Sequence, residues 1–205
     1  MLLPIGVYTD DLIINGSRID DNIEFKDQMQ KLFDMSDLRL LSYYLGIEVK
    51  QNDDTITVCQ SNYAQKILEV SSMVGCNPCL TPMENRLKLR RKDCSSIVDA
   101  TKNRSIIGSI RYLVNTKPDI VYVVGIVSRY METPTMQHMA AIKHILRYVS
   151  GMVNFGCCYK KHAKPEPELV AFSDSDLAGD LDDCKSTTGM VFFLGTSLIT
   201  WASQK

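Results

Sequence analysis

Residues 7–14 read Val-Tyr-Thr-Asp-Asp-Leu-Ile-Ile, and this run constrains the fold more than any other. Val7 and Tyr8 before the acidic pair, and Leu12, Ile13 and Ile14 after it, are strand formers that pull the segment toward a buried sheet. Two adjacent carboxylates in such a sheet repel each other and lose hydration. From Gly6 to Ile14 the pattern reads as strand, tight acidic turn, strand, with Asn15-Gly16 closing the second strand and both acids at the hairpin tip. The chain has three other Asp-Asp pairs, Asp20-Asp21, Asp53-Asp54 and Asp182-Asp183. Those sit among polar or turn-forming neighbours and read as solvated turns and caps.

The rest of the chain is ordinary globular material: 205 residues, 45% of them hydrophobic, enough for a sizeable core in one domain or two. The net charge of −1 gives no global basic signal, so a nucleic-acid contact must use local patches. No apolar stretch approaches the roughly 20 residues of a membrane span, and the opening segment meets Asp10 too soon for a signal-peptide core. A soluble intracellular protein is expected. Seven cysteines, an odd number unevenly spread, point to reduced thiols rather than a disulfide framework. The chain begins almost at once in a strand, so either its sheet is completed later or the sequence is a fragment.

Ser17 with Asp20 resembles a capping box, and Ile19, Ile23, Phe25, Met29, Leu32 and Phe33 recur at helical spacing, which predicts a helix from about Ile19 to Asp34. Two β-rich runs, 43–51 and 55–60, flank Asn52-Asp53-Asp54 as a second hairpin, and Ser61 suits the N-cap of a short helix carrying Tyr63, Ile67 and Val70. Residues 75–96 have two prolines, no sustained period and a basic run from Lys88 to Lys92, as in an exposed connector. Three helical patterns follow. The first carries Ile106, Ile107, Ile110, Leu113 and Val114, the second starts at Pro118, and the third is capped by Thr135 and stopped by Gly151. The second, rich in β-branched residues, also reads as a strand. Beyond it, 155–161 reads as a strand, 162–168 as a linker, and 169–176, 189–195 and 198–203 as strands of a new sheet.

Two acidic clusters invite chemistry. A hairpin tip with Asp10 and Asp11 suits magnesium, a hard cation whose charge removes their repulsion; a solvated acidic turn fits the same spacing. At Asp174, strand alternation puts Val170, Phe172 and Asp174 on one face, and Asp176, Asp180, Asp182 and Asp183 crowd the following turns. An acidic surface loop explains those equally. Cys76-x-x-Cys79 lacks a second zinc-ribbon pair. His138 and His144, six apart, are off the metal-binding helical spacing and read as surface residues, and Cys157-Cys158 reads as strand packing with one side chain per face. The run Lys88, Arg90, Arg91, Lys92 either touches phosphates or is simply solvated.

These residues resemble, over the whole chain, the Pol polyprotein of copia-type long-terminal-repeat retrotransposons. YTDDLIING resembles the reverse-transcriptase Tyr-x-Asp-Asp motif, and YYLGIEV with CQSNYAQKIL resembles the segment after it. The stretch from RSIIGSIRYLV to ILRYVSG is similar to the family's next helical block, and FSDSDLAGDLDDCKSTTGMVFFLG with ITWASQK looks like the opening strands of its RNase H domain. The resemblance implies an α/β (α+β) fragment in three parts: 1–75, part of the palm and the start of the thumb; 76–150, connector and helical thumb or connection; and 151–205, the first part of an RNase H-like domain. It implies that Asp10 is the principal ligand and Asp11 its neighbour in a two-Mg2+ polymerase site. By the same match Tyr8 lies near the primer and Asp174 is the first metal-binding aspartate of RNase H. Lys88, Arg90, Arg91 and Lys92 are the candidate nucleic-acid contacts. The implied partners are an RNA template, a DNA primer, an RNA–DNA hybrid and dNTP, in a cytoplasmic particle and the nucleus.

The family draws a further catalytic aspartate from an upstream palm strand and further RNase H carboxylates from later elements. Both half-sites are therefore expected to be incomplete, and the isolated chain to have little or none of either activity. Leu177 stands where the family usually has Trp, Cys184 where Arg is usual, Arg39 where Gly is common, and Thr9 where Val is common. A decayed element fits those departures. A non-catalytic nucleic-acid-binding remnant is the alternative, and a product too poorly closed at its sheet edges to be stable is a third.

Overall fold

The first hairpin forms as the sequence predicts, with β1 (Ile5–Tyr8) antiparallel to β2 (Asp11–Ile14) in the register Tyr8↔Asp11, Val7↔Leu12. The computed structural model describes residues 3–16, 18–161 and 167–205, which divide into two compact units, Met1–Ser42 and Tyr43–Lys205. The proposed cap Ser17, His162 and most of the linker lie outside the described residues. Among those described, the architecture is mixed α/β, with three small antiparallel sheets and five α-helices.

In the first unit α1 spans Ile19–Leu32, two residues short of the expected end, and Phe33 at its C-cap is extended. None of the helix is buried: Ile19, Ile23, Leu32 and Phe33, whose spacing predicts it, are each more than half exposed. The hairpin is equally open, against the pull of its flanks toward burial, with Val7 67% and Tyr8 51% exposed. Two four-residue strands and one helix cannot enclose a core by themselves.

The second unit begins with β3 (Tyr43–Tyr44), β4 (Ile47–Gln51) and β5 (Thr55–Cys59). Leu45 and Gly46 turn the chain with φ of +50° and +78°, both left-handed as a tight hairpin turn requires, and Gly46 supplies one at no steric cost. Helix α2 (Ser61–Val70) follows, but its N-cap is Gln60 rather than Ser61. The Asn62 N–H that a capping side chain would serve donates instead to Glu48 Oε1 from β4, at 2.8 Å. A tertiary contact has taken over the capping role.

Asp99 accepts from the N–H groups of Thr101 and Lys102 and starts α3 (Ala100–Leu113). Pro118 opens a 3-10 turn, Pro118–Ile120, which runs into α4 (Val121–Ser128); the β-branched segment is a helix because Val123, Val124 and Val127 all face the core. Thr135 caps α5 (Met136–Gly151). Ile107, Ile110, Leu113, Ile120, Ile142 and Val149, all fully buried, form the centre of this four-helix core together with Ala64, Ile67 and Leu68 of α2.

After α5 the chain returns as β6 (Gly156–Lys160), which pairs antiparallel with β5 and completes the order β3-β4-β5-β6. Gly156 permits that return, since a Cβ there would stand 2.2 Å from the Val58 carbonyl oxygen. Cys157 is buried and Cys158 exposed, one per face. The last three strands, β7 (Leu169–Ser175), β8 (Thr188–Leu194) and β9 (Ser197–Gln204), form a separate antiparallel meander. Trp201 fastens this sheet to the helices by donating Nε1–H to the Val114 carbonyl at 3.0 Å.

Candidate functional site

Thr9 and Asp10 form a two-residue loop between Tyr8 and Asp11. Tight hairpin loops need a left-handed backbone at the first loop position, and Thr9 adopts it with φ +49°. A β-branched residue in that region is strained, by about 1–2 kcal/mol. Thr9, Asp10 and Asp11 are all exposed, so hydration rather than a buried partner offsets the repulsion of the two carboxylates. Their hard oxygens suit magnesium by type. They fall short by number, because magnesium seeks near-octahedral coordination and no group of three or more His, Cys, Asp or Glu among the described residues is placed to hold a metal.

Asp174 lies on β7 opposite Gly189, exposed, with its Oδ1 accepting from the N–H of Ser175 at 2.9 Å. The acids that crowd the loop after it are mostly committed to holding that loop. Asp176 Oδ1 accepts from the Thr187 N–H at 2.6 Å. The side chain of Asp180 is only 2% exposed; its Oδ2 pairs with Arg129 at 3.0 Å and Lys205 at 2.5 Å, and its Oδ1 accepts from the N–H groups of Asp182 and Asp183. Burial alone would raise the Asp180 pKa, but the Lys205 bond and these backbone donors outweigh it and hold the carboxyl well below the usual carboxylate range. Asp180 thus belongs to neither an acidic surface loop nor a metal cluster. It is the centre of a buried clasp.

Lys88, Arg90, Arg91 and Lys92 are exposed, as a phosphate contact requires, while Leu89 between them is 4% exposed and anchors the segment in the core. The backbone here is tied down: Tyr130 donates to the Leu89 carbonyl at 3.1 Å, and the Arg91 N–H donates to the Asp182 carboxylate at 2.9 Å. His138, expected at the surface, is 1% exposed and lies 3.0 Å from the Arg90 carbonyl. It sits at the third helical position after the Thr135 cap, where an acceptor side chain reaches back to the cap's N–H. That spacing was the one sequence signal for its burial. Nothing local marked Arg129, Asp180 and Lys205 as partners, since they are brought together from three distant segments.

Residues 2–85 match the family model described as reverse transcriptase (RNA-dependent DNA polymerase). The retrovirus-related Pol polyprotein from transposon RE1 of Arabidopsis thaliana is 38% identical over 97% of this chain, which spans 13% of that protein's length. The Pol polyprotein from transposon TNT 1-94 of Nicotiana tabacum is 34% identical over 97% of the chain, which spans 15% of it. An uncharacterized mitochondrial protein of Arabidopsis thaliana is 36% identical over 97% of this chain and 82% of its own length. No solved structure matches, and no helix among the described residues is long and apolar enough to cross a membrane. With a reverse-transcriptase match at the Tyr8-Thr9-Asp10-Asp11 hairpin and transposon Pol relatives along nearly its full length, the chain belongs to the Pol polyprotein family of copia-type retrotransposons.

Proposed function

We propose that this chain is a segment of a retrotransposon RNA-directed DNA polymerase and RNase H that contributes part of each catalytic site and is inactive in isolation. The observation that carries this reading is the hairpin tip, where a strained Thr9 exposes Asp10 and Asp11 beside Tyr8. Asp10 and Asp11 are the carboxylates through which the palm would hold Mg2+, together with further oxygen ligands. Asp174 has the corresponding role in RNase H, at the end of β7. Residues 1–75 correspond to palm and the start of thumb, 76–150 to connector and thumb or connection, and 151–205 to the opening of the RNase H-like domain. The partners are an RNA template with its DNA primer, dNTP, and the hybrid that results.

The test is Mg2+-dependent dNTP incorporation on a primed RNA template by the purified chain beside Asp10→Ala and Asp11→Ala variants. No incorporation by the folded chain is expected. Incorporation that disappears in the Asp10→Ala variant would overturn the inactivity.

A second reading, a non-catalytic nucleic-acid-binding remnant, is favoured by the tethered segment whose Lys88, Arg90, Arg91 and Lys92 side chains are all exposed. On this reading hybrid binding is salt-sensitive and weakens when those residues are replaced by Ala. Binding unaffected by the quadruple replacement would exclude that segment.

A further inference from the structure

Helix α2 ends in a reversal that turns a methionine onto the helical core. Ser72, with φ +56°, takes the left-handed position that glycine usually fills. Its N–H donates to the Glu69 carbonyl at 3.0 Å, and the next N–H, of Met73, donates to the Leu68 carbonyl at 2.8 Å. Those two bonds fold the chain back on the helix, and Met73 packs against the core.

Beside Met73 runs one stripe of α3. Asp99, Lys102, Ile106 and Ser109 recur at three- and four-residue spacing, so they lie in line along about 15 Å of helix. Two cavities open onto that stripe. One, of about 100 Å³, lies between α2 and α3 beside Tyr63, Lys66 and Val70. The other, of about 300 Å³, is walled by Met73 and by Met139, Lys143 and Leu146 of α5. Ser71 and Ile106 line both, which makes them one continuous trough. Tyr63 braces its smaller end, donating its hydroxyl to the Ser109 carbonyl at 3.3 Å.

The floor of the trough is apolar and its rim is cationic. Met73, Ile106, Met139 and Leu146 supply the floor, and the methionines make it adaptable. Lys66, Lys102 and Lys143, one from each of three helices, are exposed, and none of them pairs with a carboxylate among the described residues. Asp99, the one acid among the lining residues, is spent on the N–H groups of Thr101 and Lys102.

This combination selects its occupant. A lipid or a small organic acid brings one anionic head to three separate ammonium groups. A nucleic acid brings enough charge, but its phosphates gain nothing from a floor of Met, Ile and Leu. The one aromatic side chain lining the trough, Tyr63, meets Tyr112 edge-on, with ring centroids 5.2 Å apart, rather than joining others in a stacking platform. An amphipathic helix brings an apolar stripe for the floor and carboxylates on its flanks for the rim, over the three turns that about 15 Å accommodates.

We propose that the trough between α2, α3 and α5 is a docking site for an acidic amphipathic helix of a partner protein, with Lys66, Lys102 and Lys143 reading its carboxylates. The site stands apart from the polymerase and nucleic-acid readings, because it uses none of Asp10, Asp11, Asp174 or segment 88–92.

The test uses the full chain with ¹³C-methyl methionine and a fluorescent peptide of about fourteen residues, Leu at every third or fourth position and Glu on both flanks. Binding is read by fluorescence anisotropy and located by the methyl resonances. The Met73 and Met139 methyls are expected to shift, and the affinity to fall as salt is raised. Replacing the peptide's Glu by Gln should weaken binding about tenfold, and so should the triple variant Lys66→Gln, Lys102→Gln, Lys143→Gln, whose exposed positions leave the thermal melt unchanged. A peptide with Ala in place of Leu should not bind. Undiminished binding by the triple variant overturns the proposal, as do methyl shifts confined to Met29 and Met35 of the first unit, or no shift at all. An RNA–DNA hybrid that moves the Met73 and Met139 methyls and displaces the peptide would give the trough to nucleic acid and overturn the peptide assignment.

Discussion

Arg129 and Asp180 meet across 51 residues of sequence, Nη1 to Oδ2 at 3.0 Å, and fasten the acidic loop between β7 and β8 to the end of α4. The second guanidinium nitrogen of Arg129 reaches Thr187 at the far end of the same loop, at 2.8 Å. One cation therefore fixes both ends of the excursion, and Lys205 closes the pair from the end of β9. Because the carboxylate is buried and fully engaged, removing it leaves the half-buried Arg129 without its carboxylate, while Lys205 keeps Asp183 at 2.8 Å.

Asp180→Ala is therefore expected to destabilise the second unit by about 3 kcal/mol, the order of a broken buried ion pair. Urea unfolding measures it. Asp183→Ala, removing an exposed carboxylate 2.8 Å from the same Lys205, serves as the comparison and should change stability little. Equal losses from the two would show that the buried position of Asp180 is irrelevant.

The same group predicts an acid transition. Its folded pKa lies below its unfolded value, so its stabilising effect is present above about pH 4 and is lost as the pH falls toward the folded value. Wild type should lose stability across that window faster than Asp180→Asn, as read from the urea midpoint at successive pH values.

Lys117 is 2% exposed, and its Nζ donates to the Met152 and Phe155 carbonyls at 2.6 and 2.9 Å, tying the end of α5 to the start of β6. Burial lowers its pKa, and the neighbouring Asp119 offsets this only in part. The unfolded chain thus holds the proton more tightly, and stability contributed through this site rises with pH from the folded pKa to about 10.5. Lys117→Met should abolish that rise and, by leaving two carbonyls without their donor, cost about 2 kcal/mol near neutrality. Thermal melts of the two proteins between pH 7 and 10 compare both effects.

Ile107 is fully buried at the centre of the helical core. Ile107→Ala should cost about 3–4 kcal/mol through lost contacts and a residual cavity. A loss below about 1 kcal/mol would mean that the four helices close readily around the gap.

At the hairpin tip, Thr9→Asn should relieve the left-handed strain by about 0.5–1 kcal/mol, because Asn tolerates positive φ where a β-branched residue does not. Stronger hydrogen-exchange protection of the β1–β2 rungs is the expected readout. Unchanged or weaker protection would mean that contacts of the Thr9 side chain compensate for its backbone.

By itself the sequence determined the elements whose causes are local. The Tyr8-Thr9-Asp10-Asp11 hairpin follows from strand formers around a two-residue acidic turn, α5 from Thr135 at its cap, and β7, β8 and β9 from their β-branched and aromatic runs. Tertiary structure decided what depends on distant partners. Glu48 displaced Ser61 from its capping role, the helical core made a helix of the β-branched 121–128 segment, and β5 took in β6 after the whole helical block. His138 and Asp180 carried the ordinary sequence signals of surface residues. Their burial became affordable only where Arg90, Thr135 and Tyr130, or Arg129 and Lys205, supplied hydrogen bonds and opposite charge from segments far apart in the chain. A polar group tolerates burial when its partners converge on it, and convergence is a property of the folded chain rather than of any window of sequence.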